Sequence, residues 1–286
     1  MNESASASAR APGPLDDTAQ RDYSAKLRLF NAFAEPELRA IIAQLELEPG
    51  MHVLDAGCGS GEALHWLLEA VQPGGRVLGV DLAAAHVAAA RRRRDPDIEV
   101  RQGDLLDAAL PAAGFDLVWC VNTLNHLRDP GAGLERLASV ARPGGHIVLG
   151  QSSFLPDMYF AWDARLERLT NEAVRRYYRE RYRLCERDLA GVRSLLGLMR
   201  RARLAQVRAR TVVIERYAPL RPADRAYLLE AIFRGTWGDR LRGYLAAEDH
   251  AELARLCDPQ SDCFALERPD FHFIQTFTVT SGEARS

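Results

Sequence analysis

The densest chemical signal in the chain is the run Val53-Leu54-Asp55-Ala56-Gly57-Cys58-Gly59-Ser60-Gly61. Glycines permit positive φ and let a ligand lie against bare backbone. The spacing is G-x-G-x-G with an acid two residues before the first glycine, whereas a dinucleotide site takes G-x-G-x-x-G to close over a pyrophosphate. Asp55 at such a bend repels phosphate and suits a cationic, phosphate-free ligand. Three more groups fall at the ends of strand-like runs. Asp81, 20 residues beyond Gly61, can accept both hydroxyls of a ribose. Asp104, in Gly103-Asp104-Leu105, can accept an adenine amino hydrogen while Leu105 packs on the ring. Cys120-Val121-Asn122 can offer backbone carbonyls to an ammonium group.

Such groups converge only if the elements carrying them lie side by side. Residues 52–57, 76–82, 98–104, 115–121 and 146–150 are short, β-rich runs, and helical patterns separate them. Leu64, Leu67, Leu68 and Val71 recur at i, i+3, i+4, i+7. The alanine-rich run 83–94 has high helix propensity. A further helix around Leu134, Leu137 and Ala138 stops at Arg142-Pro143-Gly144-Gly145. This alternation predicts an α/β doubly wound, mostly parallel sheet that binds ligands beyond the carboxyl ends of its strands. Two short helices are expected over 23–47, before the Pro49-Gly50 turn. After residue 150 the rhythm breaks, and strands return at 211–217 and 271–280. The expected organisation is a flexible tail at 1–17 and a single domain at 18–286, with helical insertions at 151–205 and 221–268 acting as lids.

The ordered set of Asp55 with its glycines, Asp81, Asp104 and the Cys120–Asn122 strand end resembles the class I, seven-stranded S-adenosylmethionine-dependent methyltransferases. FDLVWCVNTLNHLRDP and ASVARPGGHIVLG are similar to later motifs of that family, particularly its small-molecule branch. The resemblance covers about residues 20–150 and implies S-adenosylmethionine as cofactor and S-adenosylhomocysteine as product. It implies that Asp55, Gly57, Gly59 and Gly61 flank the methionyl part. Asp81 with Leu82 then holds the ribose, Asp104 and Leu105 the adenine, and a carbonyl of Cys120 or Val121 the amino group. Tyr23, in the N-terminal helices, is expected to fold over the cofactor.

A sulfonium carries an electrophilic methyl, so the acceptor must be held in line with it at about 3–3.5 Å. Proton removal is needed only for an acceptor such as a hydroxyl or activated carbon. A histidine titrates in the useful range for proton transfer, so His126 is the candidate general base, with a packing or capping role as the alternative. Asn122 is placed to orient a polar acceptor, though loop turns explain it equally. Phe154, Tyr159 and Trp162 open the first insertion and form either an acceptor pocket or lid core. NTLN departs from the N-P-P-[YF] pattern of enzymes methylating DNA bases and protein glutamine, which argues against those substrates.

The 286 residues are 47% hydrophobic, with 37 basic and 39 acidic side chains and a net charge of −2. That balance argues against a duplex DNA partner. No apolar run reaches the roughly 20 residues of a membrane helix. The first 17 residues lack a signal peptide's apolar core. Five scattered cysteines show neither zinc spacing nor a disulfide frame. A reducing cytoplasm and metal-independent chemistry are therefore expected. Residues 157–210 hold 14 arginines against 7 acids. Salt-bridged helical faces explain this; an RNA methyltransferase gripping its substrate there is the alternative. A non-catalytic S-adenosylmethionine-binding subunit is a third reading.

Overall fold

The computed structural model describes residues 22–153, 157–158, 162–184 and 191–285. The first half alternates as the sequence predicts. Helix α1 (Ser24–Ala43) leads into β1 (His52–Ala56), α2 (Glu62–Val71), β2 (Arg76–Asp81), α3 (Ala84–Arg91) and β3 (Ile98–Gln102). Then come β4 (Phe115–Val121), α4 (Pro130–Val140) and β5 (Ala141–Ser152). Strands β1 to β5 pair in parallel in the order β3-β2-β1-β4-β5.

Alternation along each strand sends neighbouring side chains to opposite faces. Val53, Val77, Leu117 and Val148 enter one core with Leu64, Leu67, Leu68 and Val71 of α2. Leu54, Leu78, Val118 and Ile147 enter a second core with Leu134 and Leu137 of α4. Each such side chain contributes about 1.5–3 kcal/mol on burial. Covering both faces fixes the sheet and leaves its carboxyl edge as the open side. Asp129 caps α4 by accepting from the Ala132 N–H at 2.9 Å, with Pro130 in the first turn. Asp129→Ala is expected to lower stability by about 1 kcal/mol in denaturant titration.

The later elements are the two-residue strand β6 (Asp157–Met158), α5 (Ala164–Tyr182), α6 (Leu195–Arg201) and β7 (Ala205–Tyr217). Next, α7 (Pro222–Ala226) passes directly into a π-helical stretch (Tyr227–Trp237), and α8 (Ala247–Cys257) and β8 (His272–Glu283) follow. Strand β8 runs antiparallel between β5 and β7, with β6 continuing on the β5 side. Seven long strands thus make one mixed sheet.

The N-terminal region differs from expectation, since one helix replaces two. Helix α1 runs through Pro36, which lacks an N–H and disrupts the local ladder. The missing N–H is the one that would bond the Ala32 carbonyl; the next carbonyl, that of Phe33, accepts guanidinium N–H groups from Arg216 at 2.6 Å and Arg221 at 3.3 Å. Phe33, Ala34, Leu38, Ile41 and Ile42 keep a single buried face across the proline. No helix among the described residues is long and apolar enough to cross a membrane.

Candidate functional site

The chain leaves β1 through a turn that only glycine fits. Gly57 has φ +86°, and a Cβ there would lie 2.2 Å from Thr123 Oγ1. Its N–H and that of Cys58 both donate to the Val80 carbonyl, at 2.8 and 3.1 Å, stitching the bend to the end of β2. Gly59 and Gly61 also take positive φ, and the Gly59 N–H donates to Asp81 Oδ2 at 2.9 Å. The turn, the end of β2 and the loop after β4 are thereby one unit.

Acidic groups collect around this bend. Asp55 is 3% exposed and its Oδ2 is buried with no hydrogen-bond partner. Burial, with the neighbouring charges of Asp81 and Glu62, raises its pKa to about 8. Glu62 opens α2 and accepts from Ser60 Oγ at 2.7 Å and Asn31 Nδ2 at 2.9 Å. Asp81 is more fully engaged. Its Oδ1 accepts from the Ala83 N–H at 2.9 Å and faces His86 Nδ1 at 3.0 Å. With Gly59 on Oδ2, three of the roughly four lone-pair positions of a carboxylate are taken. Burial pushes the thiols of Cys58 and Cys120 upward, Cys120 to about 12, so both stay protonated and inert.

The remaining strand ends lie on the same edge. Asp104 Oδ1 accepts from the Leu106 N–H at 2.9 Å, while Leu105 is buried in the second core. Leu82, beside Asp81, is one of few large apolar side chains left exposed among the described residues. Cys120 is buried, and the Val121 carbonyl accepts from Thr123 Oγ1 at 2.9 Å. Asn122 adopts φ +50°, a conformation asparagine tolerates, and its Oδ1 accepts from Ser152 N–H and Oγ at 2.9 and 3.1 Å. Its carbonyl oxygen therefore clamps β5 to β4. His126 is half-buried at the end of a single 3-10 turn, Leu124–His126.

Of the lid aromatics, Phe154 and Tyr159 lie outside the described residues. Trp162 stacks on Trp237 at 5.6 Å, which stacks in turn on Phe233 at 5.2 Å. Trp162 Nε1 also donates to Glu167 at 3.2 Å, so this ring is built into the packing between the two insertions. Two arginines of α5 are similarly occupied: Arg165 pairs with Asp249 at 2.6 Å, and Arg176 lies 5.4 Å over the Tyr244 ring.

Comparison with known proteins assigns this arrangement. A family model described as "Methyltransferase domain" matches residues 53–145, from the start of β1 to the turn within β5. A protein of Anaeromyxobacter dehalogenans assigned as a type II methyltransferase superposes over 86% of this chain and 96% of its own, with a TM-score of 0.60 and 24% identity. Residues 53–145 are thus similar to methyltransferase domains. The sheet around them has the class I, S-adenosylmethionine-dependent methyltransferase fold.

Two curated relatives of this methyltransferase domain carry specific names. Nocamycin O-methyltransferase of Saccharothrix syringae is 37% identical over 121 residues, 41% of this chain and 43% of the relative. The 27-O-demethylrifamycin SV methyltransferase of Amycolatopsis mediterranei is 30% identical over 149 residues, 50% of this chain and 51% of the relative. The chain thus spans about half the length of these relatives.

The glycine bend fits S-adenosylmethionine, the cofactor that the resemblance implies. A buried carboxylate oxygen lacking any partner, next to two further acids, is costly unless a cation offsets it. S-adenosylmethionine brings a sulfonium and an ammonium and no phosphate. Sequence reading missed Glu62, His86 and Thr123. Glu62 follows Gly61 directly, so its place in the glycine turn was a usable signal. Thr123 and His86 act through contacts 66 and 5 residues away, and no local pattern marks them.

Proposed function

We propose that this protein transfers a methyl group from S-adenosylmethionine to a small organic acceptor in bacterial biosynthesis, releasing S-adenosylhomocysteine. The observation that carries this reading is the partnerless, fully buried Asp55 Oδ2 at the glycine bend. When bound, the cofactor supplies an electrophilic methyl. Asp55 faces its positive end, and the glycine turn leaves room for its methionyl chain. Asp81 offers the last lone pair of Oδ2 to a ribose hydroxyl, Leu82 gives the nucleoside an apolar edge, and Asp104 and Leu105 border the base. The carbonyls of Cys120 and Val121 border the amino group, and Tyr23 closes the site from α1.

The acceptor side is formed by Asn122 and the first insertion. His126 takes the proton from a hydroxyl acceptor. The O-methylating names of both relatives favour oxygen as the methylated atom. A single domain over 18–286, with both insertions as lids, suits an enclosed, compact acceptor better than a polymer, and the protonated thiols suit a reducing cytoplasm.

The test is transfer of labelled methyl from S-adenosylmethionine by the purified chain to a panel of bacterial natural-product precursors and, separately, to RNA. Label in a small hydroxylated product is expected. Label in RNA alone would transfer the activity to the arginine-rich insertion, and no transfer to anything would leave a binding subunit. Asp81→Ala is expected to weaken S-adenosylhomocysteine binding by about 1.5 kcal/mol, the worth of a hydrogen bond to a charged group. Unchanged affinity by calorimetry would reject the ribose role.

A further inference from the structure

Helix α1 is tied to Asp81 through one imidazole. The Tyr23 backbone N–H donates to His86 Nε2 at 2.9 Å. That bond requires Nε2 to be the unprotonated nitrogen, so the ring proton sits on Nδ1 and is donated to Asp81 Oδ1 at 3.0 Å. Both side chains are shielded, His86 at 9% exposure and Asp81 at 12%. The Tyr23 ring lies 6.4 Å from the imidazole, and Asp22 Oδ1 accepts from the Ser24 N–H at 2.8 Å. A second contact runs in parallel. Leu27, one turn into α1, stands over the glycine bend, where a Cβ on Gly59 would meet its Cδ1 at 2.9 Å. Gly59 is the residue whose N–H holds the other oxygen of Asp81.

The first turn of α1 therefore meets both oxygens of one carboxylate, through His86 at Oδ1 and over Gly59 at Oδ2. Neither contact is needed to build α3, whose backbone bonds close without the His86 ring. We propose that His86 is a positioning residue that couples docking of the first turn of α1 to nucleoside binding at Asp81, each favouring the other. This rests on Asp81 being the ribose carboxylate. Because coupling between two sites is reciprocal, an ordered helix start strengthens binding and a bound nucleoside orders the helix start.

The experiment uses the full chain with S-adenosylhomocysteine as the probe. In the unaltered chain, saturating S-adenosylhomocysteine is expected to slow hydrogen exchange of the amides of residues 23–27. His86→Leu removes both polar contacts. It is expected to weaken calorimetric affinity about tenfold, within the usual range of coupling between sites, and to abolish that protection. His86→Gln offers one N–H and one carbonyl on a single amide and is expected to recover most of both effects, which a purely packing role would not do. The protection measurement needs no variant, so it stands even where His86→Leu does not fold. Unchanged exchange at 23–27 in the unaltered chain, or full affinity in His86→Leu, overturns the coupling alone. Failure of the unaltered chain to bind the probe removes the nucleoside site and, with it, this inference.

Discussion

Replacing Arg216 with Met is expected to lower stability by about 3–5 kcal/mol, the cost of stranding the partners of a buried ion pair. Arg216 is 9% exposed and lies at the centre of a network joining α1, β7 and α7. It donates to Glu37 at 2.7 and 2.8 Å, to Asp224 at 2.8 Å and to the Phe33 carbonyl at 2.6 Å, with its guanidinium 4.8 Å above the Phe33 ring. Asp224 keeps a second partner in Arg221, so Glu37 bears most of the loss. The midpoint of thermal unfolding is expected to fall by roughly 10 °C for a chain of this size. Arg216→Lys keeps the charge and loses the planar fork, so it belongs between the two. An Arg216→Met, Glu37→Met double variant is expected to regain part of the stability by removing the stranded carboxylate. An unchanged midpoint in the single variant would show that the network contributes only packing.

The second large effect is a pH dependence. With a pKa raised to about 8, Asp55 is neutral in the free protein at pH 6 and half ionised at pH 8. A cationic ligand prefers the ionised form, so binding at lower pH must expel the proton. S-adenosylmethionine affinity is therefore expected to be roughly 50-fold weaker at pH 6 than at pH 8, close to tenfold per unit. Calorimetry in buffers of different ionisation enthalpy would register the released proton. Asp55→Asn is expected to flatten the profile, and equal affinity at both pH values in the unaltered chain would falsify the role. Stability of the free protein moves the opposite way. Asp55 holds its proton to about pH 8 when folded and loses it near the ordinary carboxylate value when unfolded. Its contribution is full below the unfolded value and is lost as the pH rises toward and through the folded one, at up to about 1.4 kcal/mol per unit.

The strand ends and the glycine bend that gather the candidate cofactor residues were legible because they are set by local backbone needs. Gly57 must take positive φ, Asp55 and Asp81 must end parallel strands, and β-branched runs mark those strands. The elements the sequence hid are those decided by distant contacts. Pro36 looks like a boundary between two helices, yet one buried face of Phe33, Leu38 and Ile41, with Arg216 of β7 holding Glu37, carries a single helix across it. Strand β7 begins at Ala205 rather than at Thr211 because its polar, arginine-rich start is paired to β8, not buried by it. Strand β5 likewise starts at Ala141, since the Pro143-Gly144-Gly145 turn is held by β4 on one side and by Ala284 on the other. His86 sits in an alanine-rich helix whose propensity gives no hint of the Tyr23 and Asp81 contacts.

The position of β8 carries a consequence for biosynthesis of the chain itself. This strand is made after both its neighbours and yet lies inside the sheet, between β5 and β7. Until residues 272–283 leave the ribosome, β5 presents an open edge, and an open edge is a template for pairing with other chains. The pairs among β1 to β5 can form as those strands emerge, but the sheet closes only once β8 is free to enter it. Nascent chains that still lack β8 are the species most exposed to such pairing.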